Sequence, residues 1–185
     1  AAFHAREPLR PGLPRGALAG ALPENVAPDT VEFAVASLVA AGRVADAPEG
    51  IRAASHRPSL EGADGVLADR IRVASRAAGL EPPNLKEWSE QLGTPIEKVR
   101  ALLTHLAREG SLVAAPGEFW FDRAAVDALR ERVVAQIQQH GGIETPAYKT
   151  LIGTSRKHAV PLMELFDQQR VTLRVGNKRV LRGAK

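Results

Sequence analysis

The sequence predicts a mainly α-helical chain with small β-hairpins, organised as three tandem copies of one helical unit. Three observations carry that expectation. A helix end, a tight turn and a two-stranded apolar return recur in "VASLVAAGRVADAPEGIRAA" (35–54), "LLTHLAREGSLVAAPGEFWFD" (102–122) and "LMELFDQQRVTLRVGNKRVLR" (162–182). The turns, at Ala41-Gly42, Glu109-Gly110 and Gln168-Gln169, are spaced roughly sixty residues apart, the mark of an internal repeat. Aromatic residues are only 4% of the chain, so any cores are built mainly from Leu, Val, Ile and Ala. The expected units are 1–54, 55–122 and 123–185.

In the first unit, "AAFHAREPL" reads as a clipped first helix and "PRGALAGAL" as a short second one. "DTVE" (Asp29 to Glu32) has the spacing of a capping box, with Asp29 accepting from a free amide and Glu32 reaching back. In the second unit, "VLADRIRVASRAAG" places Val66, Leu67, Ile71 and Ala74 near helical spacing. Pro82-Pro83 marks a loop, and "NLKEWSEQLG" a short helix closed by Gly93. "TPIE" (Thr94 to Glu97) repeats the capping-box spacing, with Pro95 at the first helical position. Trp88, Trp120 and Phe121 sit in apolar-periodic surroundings and read as core.

The third unit follows at once, with Asp122 as a cap for a helix whose buried face is Val126, Leu129, Val133 and Ile137. In "TPAYKTLIG", Thr145 is the expected N-cap, Pro146 the first helical residue and Gly153 the C-cap. The last helix starts at "TSRK", where Thr154 or Ser155 caps but Lys157 or His158 stands where the other units have an acid. Pro161 lacks the amide proton a helix interior needs, so it kinks the helix or ends a frayed first turn. Helix, short helix, turn, helix and hairpin is the order of a winged helix-turn-helix domain. Domains of about sixty residues bury only about 60% of their chain surface, so neighbours are expected to support one another.

Charge is divided unevenly. Residues 1–122 carry 13 Lys and Arg against 16 Asp and Glu, whereas residues 123–185 carry 12 against 5. The last third is therefore strongly basic, and that asymmetry points to a polyanionic partner. The segment "RVTLRVGNKRVLR" (170–182) alone holds five basic residues and no acid. Around a two-residue Gly176-Asn177 turn, Arg174 pairs with Arg179, Val175 with Lys178 and Leu173 with Val180. A three-residue turn would instead set Val175 opposite Arg179. Like charges directly opposite destabilise a hairpin, and an anion held between them relieves the repulsion. Arg156 and Lys157 occupy the first turn of the last helix, where side-chain cations oppose the macrodipole but help the free amides bind phosphate.

The segment "GTSRKHAVPLMELFDQQRVTLRVGNKRVLRG" (153–183) resembles the last winged-helix domain of bacterial selenocysteine-specific elongation factors, and "FHAREPLRPGLPRGAL" (3–18) resembles an upstream stretch of the same family. The match is dense over Ser155-Arg156-Lys157, Pro161-Leu162 and Arg174-Val175-Gly176, and looser in the middle of the chain. Thr154 stands where the family has an apolar residue, His158 where it has Tyr, and Leu173 where it has Arg. The resemblance implies a C-terminal piece that tethers such a factor to an mRNA hairpin beside an in-frame UGA codon. GTP, selenocysteyl-tRNA and the ribosome would be partners of the whole factor. It also implies that Arg156, Lys157, Arg174, Lys178 and Arg179 hold phosphates and exposed bases. The candidate RNA contacts are then Ser155, Arg156, Lys157 and His158 on the helix tip, with Arg170, Arg174, Asn177, Lys178, Arg179 and Arg182 on the hairpin. His158 and Asn177 are the candidates for bonding or stacking on an unpaired base, since A-form RNA hides its major groove.

Other chemistries find little support. No "GxxxxGK[ST]" loop occurs, so this chain is not expected to bind or hydrolyse GTP itself. The five histidines have no paired metal spacing and cysteine is absent, so no metal site, cofactor or disulfide is expected. Neither a membrane span nor a signal-peptide pattern is present; a cytoplasmic monomer is expected, and not an enzyme. The rival reading is a winged-helix DNA-binding regulator, which would want a basic recognition helix and a dimer. A pure interaction scaffold would have no use for the basic third.

Overall fold

A computed structural model of the chain describes residues 3, 4, 9, 12–23, 26–47, 50–56, 60 and 62–183. They cluster into two compact units, Ala1–Glu61 and Gly62–Lys185. The fold is of the expected class, helical with small antiparallel hairpins.

The first unit contains α1 (Arg15–Gly20), α2 (Pro28–Ala40) and a hairpin of β1 (Val44–Ala47) with β2 (Gly50–Ala53). The stretch expected to form an earlier helix falls mostly outside the described residues; Phe3 and His4 have helical backbone. Leu13 adds a bridge to the hairpin, its amide donating to the Ile51 carbonyl at 2.7 Å and its carbonyl accepting from Ile51 at 2.9 Å. Gly50 makes this approach possible: with φ at +133°, a Cβ there would lie 2.0 Å from the Leu13 carbonyl oxygen. The "DTVE" capping box does not form. Ala27 is the N-cap, without a side-chain bond, and Pro28 starts the helix. Proline loses nothing at that position because its missing amide would be unpaired anyway, and Asp29 falls inside the first turn.

The second unit runs the helix–helix–helix–hairpin order twice. Its first pass is α3 (Gly62–Ala78), α4 (Leu85–Leu92), α5 (Ile96–Arg108), β3 (Leu112–Ala115) and β4 (Phe119–Asp122). The second is α6 (Arg123–His140), β5 (Ile143–Glu144), α7 (Thr145–Ile152), α8 (Arg156–Gln168), β6 (Thr172–Val175) and β7 (Lys178–Leu181). "TPIE" likewise fails as a box: Pro95 is the N-cap and Thr94 bonds the Leu92 carbonyl instead. A capping box forms instead at "NLKE" (Asn84 to Glu87). Glu87 N–H donates to Asn84 Oδ1 at 2.9 Å, and Asn84 N–H donates to Glu87 Oε2 at 2.8 Å. Asp122 caps α6 by accepting from the Ala125 amide at 3.0 Å, as expected. Gly93 and Gly153 close α4 and α7 in the left-handed region, also as expected. At α7, Glu144 rather than Thr145 is the N-cap.

Helix α6 buries Val126, Leu129, Val133 and Ile137, the predicted face. Helix α3 follows its prediction only at Ile71: Ala68, Ile71 and Ser75 are buried, while Val66 is 62% exposed and Ala74 is exposed. Two apolar stripes exist on this helix, and periodicity alone could not say which one the core takes. The core of the second pass is not its own. Val113, Phe119 and Phe121 from β3 and β4 join Val126, Tyr148, Leu162 and Phe166 in one buried cluster. Trp88, Trp120 and Phe121 are all buried.

Candidate nucleic-acid interface

The hairpin of β6 and β7 takes the two-residue Gly176-Asn177 turn, with Arg174 opposite Arg179, Val175 opposite Lys178 and Leu173 opposite Val180. β5 adds to the far side of β7, pairing Ile143 with Arg179 and Glu144 with Lys178. The turn is anchored by the Asn177 carbonyl, which accepts from both the amide and the hydroxyl of Thr145 at 3.2 Å.

The paired arginines have different fates. Arg174 is exposed, its Nε reaching only the Gly176 carbonyl at 3.2 Å. Arg179 is 7% exposed and spends its charge inside. Its Nε donates to Asp167 Oδ2 at 3.0 Å and Oδ1 at 3.2 Å, its Nη2 lies 3.0 Å from Oδ2, and its guanidinium sits 5.7 Å over the Tyr148 ring. Asp167 also accepts from Thr172 Oγ1. The anion beside Arg179 is therefore a carboxylate of the chain itself, and none lies against Arg174 among the described residues. Arg179 is a buried structural residue, which corrects the expectation that it faces RNA. The sequence offered one clue, since Asp167 is among only 5 acids in residues 123–185.

The helix tip is also less open than expected. Ser155 is the N-cap of α8. Glu81, from the loop between α3 and α4, accepts from Thr154 Oγ1 and the Ser155 amide. Lys157 Nζ lies 2.6 Å from Glu87 Oε1 and 5.9 Å over the Phe119 ring. His158 is buried. Its Nε2 is 3.0 Å from the Pro82 carbonyl and its Nδ1 is 3.2 Å from Ser155 Oγ. Because a carbonyl only accepts, Nε2 carries a proton, and the edge of the ring meets Phe119 at 5.2 Å. His158 thus joins the two passes of the second unit and has no free face for a base. Arg156 alone of the tip cations is exposed without a partner among the described residues.

What remains exposed is a set of cations at the two ends of the hairpin. Lys178, Asn177 and Arg174 stand at the turn end of the hairpin, and Arg170 and Arg182 at its base, where the Arg182 amide donates to Val171. At about 3.3 Å per residue, base and turn are separated by roughly 10 Å, a span that can track a phosphate backbone. Arg170 takes φ +59°, the backbone position filled by Gly42 and Gly110 in the earlier repeats. The turn is thus centred one residue later than Gln168-Gln169. Leu173 and Val175 share one face of the hairpin with Lys178 and are 47% and 49% exposed, while Arg174 lies on the other face with Arg179.

The contacts at the tip are pH-dependent. The Thr154 hydroxyl and then the Ser155 amide hold Glu81 below the usual carboxylate range. Lys157 and then the Asn84 amide do the same for Glu87. A carboxylate with a depressed folded pKa stabilises the fold above its unfolded pKa, about 4.3. That contribution is lost as pH falls through the folded value. Carboxyl NMR titrations of Glu81 and Glu87 will have midpoints below about 4.3, and exchange at the Ser155 amide will quicken as they protonate. Midpoints at the ordinary value would mean that the carboxylates do not hold this seam.

Two family models match the chain, both described as elongation factor SelB, winged helix: one for a second such domain over residues 1–47 and one for a third over residues 135–181. A selenocysteine-specific elongation factor from Desulfomicrobium baculatum is 30% identical over 180 residues, which is 97% of this chain and 28% of that protein. The chain therefore spans little more than a quarter of that relative. Among solved structures, the mRNA-binding domain of elongation factor SelB from E. coli in complex with SECIS RNA superposes with a TM-score of 0.54 at 22% identity. That match covers 63% of this chain and 97% of the other. A bacterial selenocysteine-specific elongation factor, EF-Sec, superposes with a TM-score of 0.55 at 14% identity, over 92% of this chain and 26% of its own. Both structures share the fold.

Proposed function

Because this chain belongs to the SelB elongation-factor family and spans part of its winged-helix region, we propose that it is the mRNA-hairpin-binding part of a selenocysteine-specific elongation factor. It tethers that factor to the insertion hairpin beside an in-frame UGA codon. The chain divides near residues 54 and 122 into three winged-helix domains and acts as a cytoplasmic monomer. GTP, selenocysteyl-tRNA and the ribosome engage other parts of the factor, and no catalytic step falls to this piece. The observation that carries the reading is the set of exposed cations on the β6–β7 hairpin, Arg170, Arg174, Lys178 and Arg182, none in an ion pair with a carboxylate among the described residues. Asn177 supplies an amide beside it. The tip adds Arg156, with Ser155 and Lys157 at its edge.

These exposed cations suit RNA for a physical reason. A-form RNA keeps its major groove too narrow for a recognition helix, so specific contact falls on looped bases while cations track the backbone. With the tip of α8 closed over by Glu81 and Glu87, the hairpin carries most of the contact. The relatives matched are translation factors, which argues against the DNA-binding regulator. Fluorescence anisotropy with a bulged RNA hairpin, against duplex DNA of equal length, tests the proposal across a salt series. Tighter binding of the hairpin is expected, with log K falling linearly in log salt. Equal affinity for both nucleic acids would sink it.

A further inference from the structure

A second basic feature lies away from the hairpin of β6 and β7, in the otherwise acidic part of the chain. Where α3, the base of the β3–β4 hairpin and the start of α6 meet, a cavity of about 190 Å³ is lined by Arg72, Arg76, Ser111, Asp122 and Arg123. Three guanidiniums from two segments fifty residues apart converge there, against a single lining carboxylate. Their states differ. Arg72 is fixed, with Nη1 2.6 Å from Asp69 Oδ1 and Nη2 2.6 Å from Glu109 Oε2. Asp122 is buried and turned to its capping bond with the Ala125 amide. Arg123 donates Nε to the Gly110 carbonyl at 3.3 Å, and its two terminal nitrogens have no partner among the described residues. Arg76, one turn beyond Arg72 on α3, is exposed and likewise has none.

Two planar forks with free donors, held around one concavity, are the arrangement that takes a phosphate in bidentate fashion. The Ser111 hydroxyl adds a third donor, and the volume leaves room for an anion with a few waters, each needing about 30 Å³. We propose that this cavity is a phosphodiester-binding site that holds the backbone of the same mRNA at a point outside the helix tip and the β6–β7 hairpin. The inference rests on the RNA-binding reading. Arg76 and Arg123 bind the phosphate, and Arg72, already committed to two carboxylates, positions the wall of the site.

The test uses the whole chain and a hairpin whose stem is long enough to extend past the β6–β7 hairpin. Arg76→Glu, Arg76→Ala and the Arg76→Ala/Arg123→Ala double variant are compared with wild type in salt series, with thermal melts as a folding control. Arg76→Glu is the safest reporter, because Arg76 is exposed and makes no hydrogen bond or ion pair among the described residues. Each lost phosphate contact lowers the slope of log K against log salt by about 1. The double variant is expected to lose about 2 from the slope and at least tenfold in affinity near physiological salt. Inorganic phosphate is titrated in parallel, with the Arg76 and Arg123 Nε–H resonances as probes. Unchanged RNA affinity and slope in variants that fold, while Arg174→Ala weakens binding, would overturn the site and leave the functional reading intact. Perturbation by inorganic phosphate with no effect of the variants on RNA would also overturn it, by showing a site for a free anion. Failure of wild type to bind any hairpin would remove the functional reading and this inference together.

Discussion

Phe121→Ala will unfold both passes of the second unit together, at a cost of about 3–5 kcal/mol. Phe121 belongs by sequence to the hairpin of β3 and β4, yet its fully buried ring packs in the cluster that includes Tyr148, Leu162 and Phe166. Removing it opens a cavity walled by both passes, so neither retains an intact core. β4 ends at Asp122 and α6 starts at Arg123, which leaves no linker to absorb the loss. Urea unfolding followed by tryptophan fluorescence and by far-UV CD checks this. Trp88 and Trp120, the only tryptophans, report on the first pass, whereas CD reports on all helices. Coincident shifts of the two curves for residues 62–185 are expected. A shift below about 1 kcal/mol, or fluorescence that moves while half of the CD change stays put, would show that the passes stand alone.

The two arginines opposite each other on β6 and β7 will separate stability from binding. Arg179→Ala leaves Asp167 without its buried partner, and losing one member of such a pair costs about 2–4 kcal/mol. RNA affinity will fall with it, through the fold and not through a lost contact. Replacing both members, as Arg179→Met with Asp167→Leu, should recover much of the loss because no charge is stranded. Arg174→Ala removes an exposed side chain and should leave stability within about 0.5 kcal/mol. It should nevertheless weaken hairpin RNA by about tenfold and reduce the salt slope by about 1. Thermal melts and anisotropy on both variants decide the matter. An unstable Arg174→Ala, or a stable Arg179→Ala that binds poorly, would reverse these roles.

The capping motifs show where local reading fails. "DTVE", "TPIE" and "NLKE" have the same spacing, but only the last forms a box. In the other two a proline next to the candidate cap sets where the helix begins, at Pro28 and at Ile96. Backbone restriction outweighs side-chain hydrogen bonding at both helix starts. No such signal marked His158 or Lys157. Their partners, Pro82 and Glu87, lie 76 and 70 residues away in the chain.

Short-range physics is what the sequence by itself determined. Apolar spacing located the long helices, Gly93 and Gly153 located the ends of two short ones, and the Gly-Asn pair located the hairpin turn while leaving two registers open. Each of these depends on residues within a few positions of one another. The tertiary structure decided which face of α3 is buried, that the hairpin of one pass completes the core of the next, and which cations remain free. The reason is that a charge is neutralised by whatever carboxylate folding brings near it. Asp167 reaches Arg179 across twelve residues and Glu87 reaches Lys157 across seventy, and neither distance leaves a periodic trace in the chain. Composition could count the positive charge of the last third, but only the fold could say that Arg179 is used within and that Arg174 stays exposed.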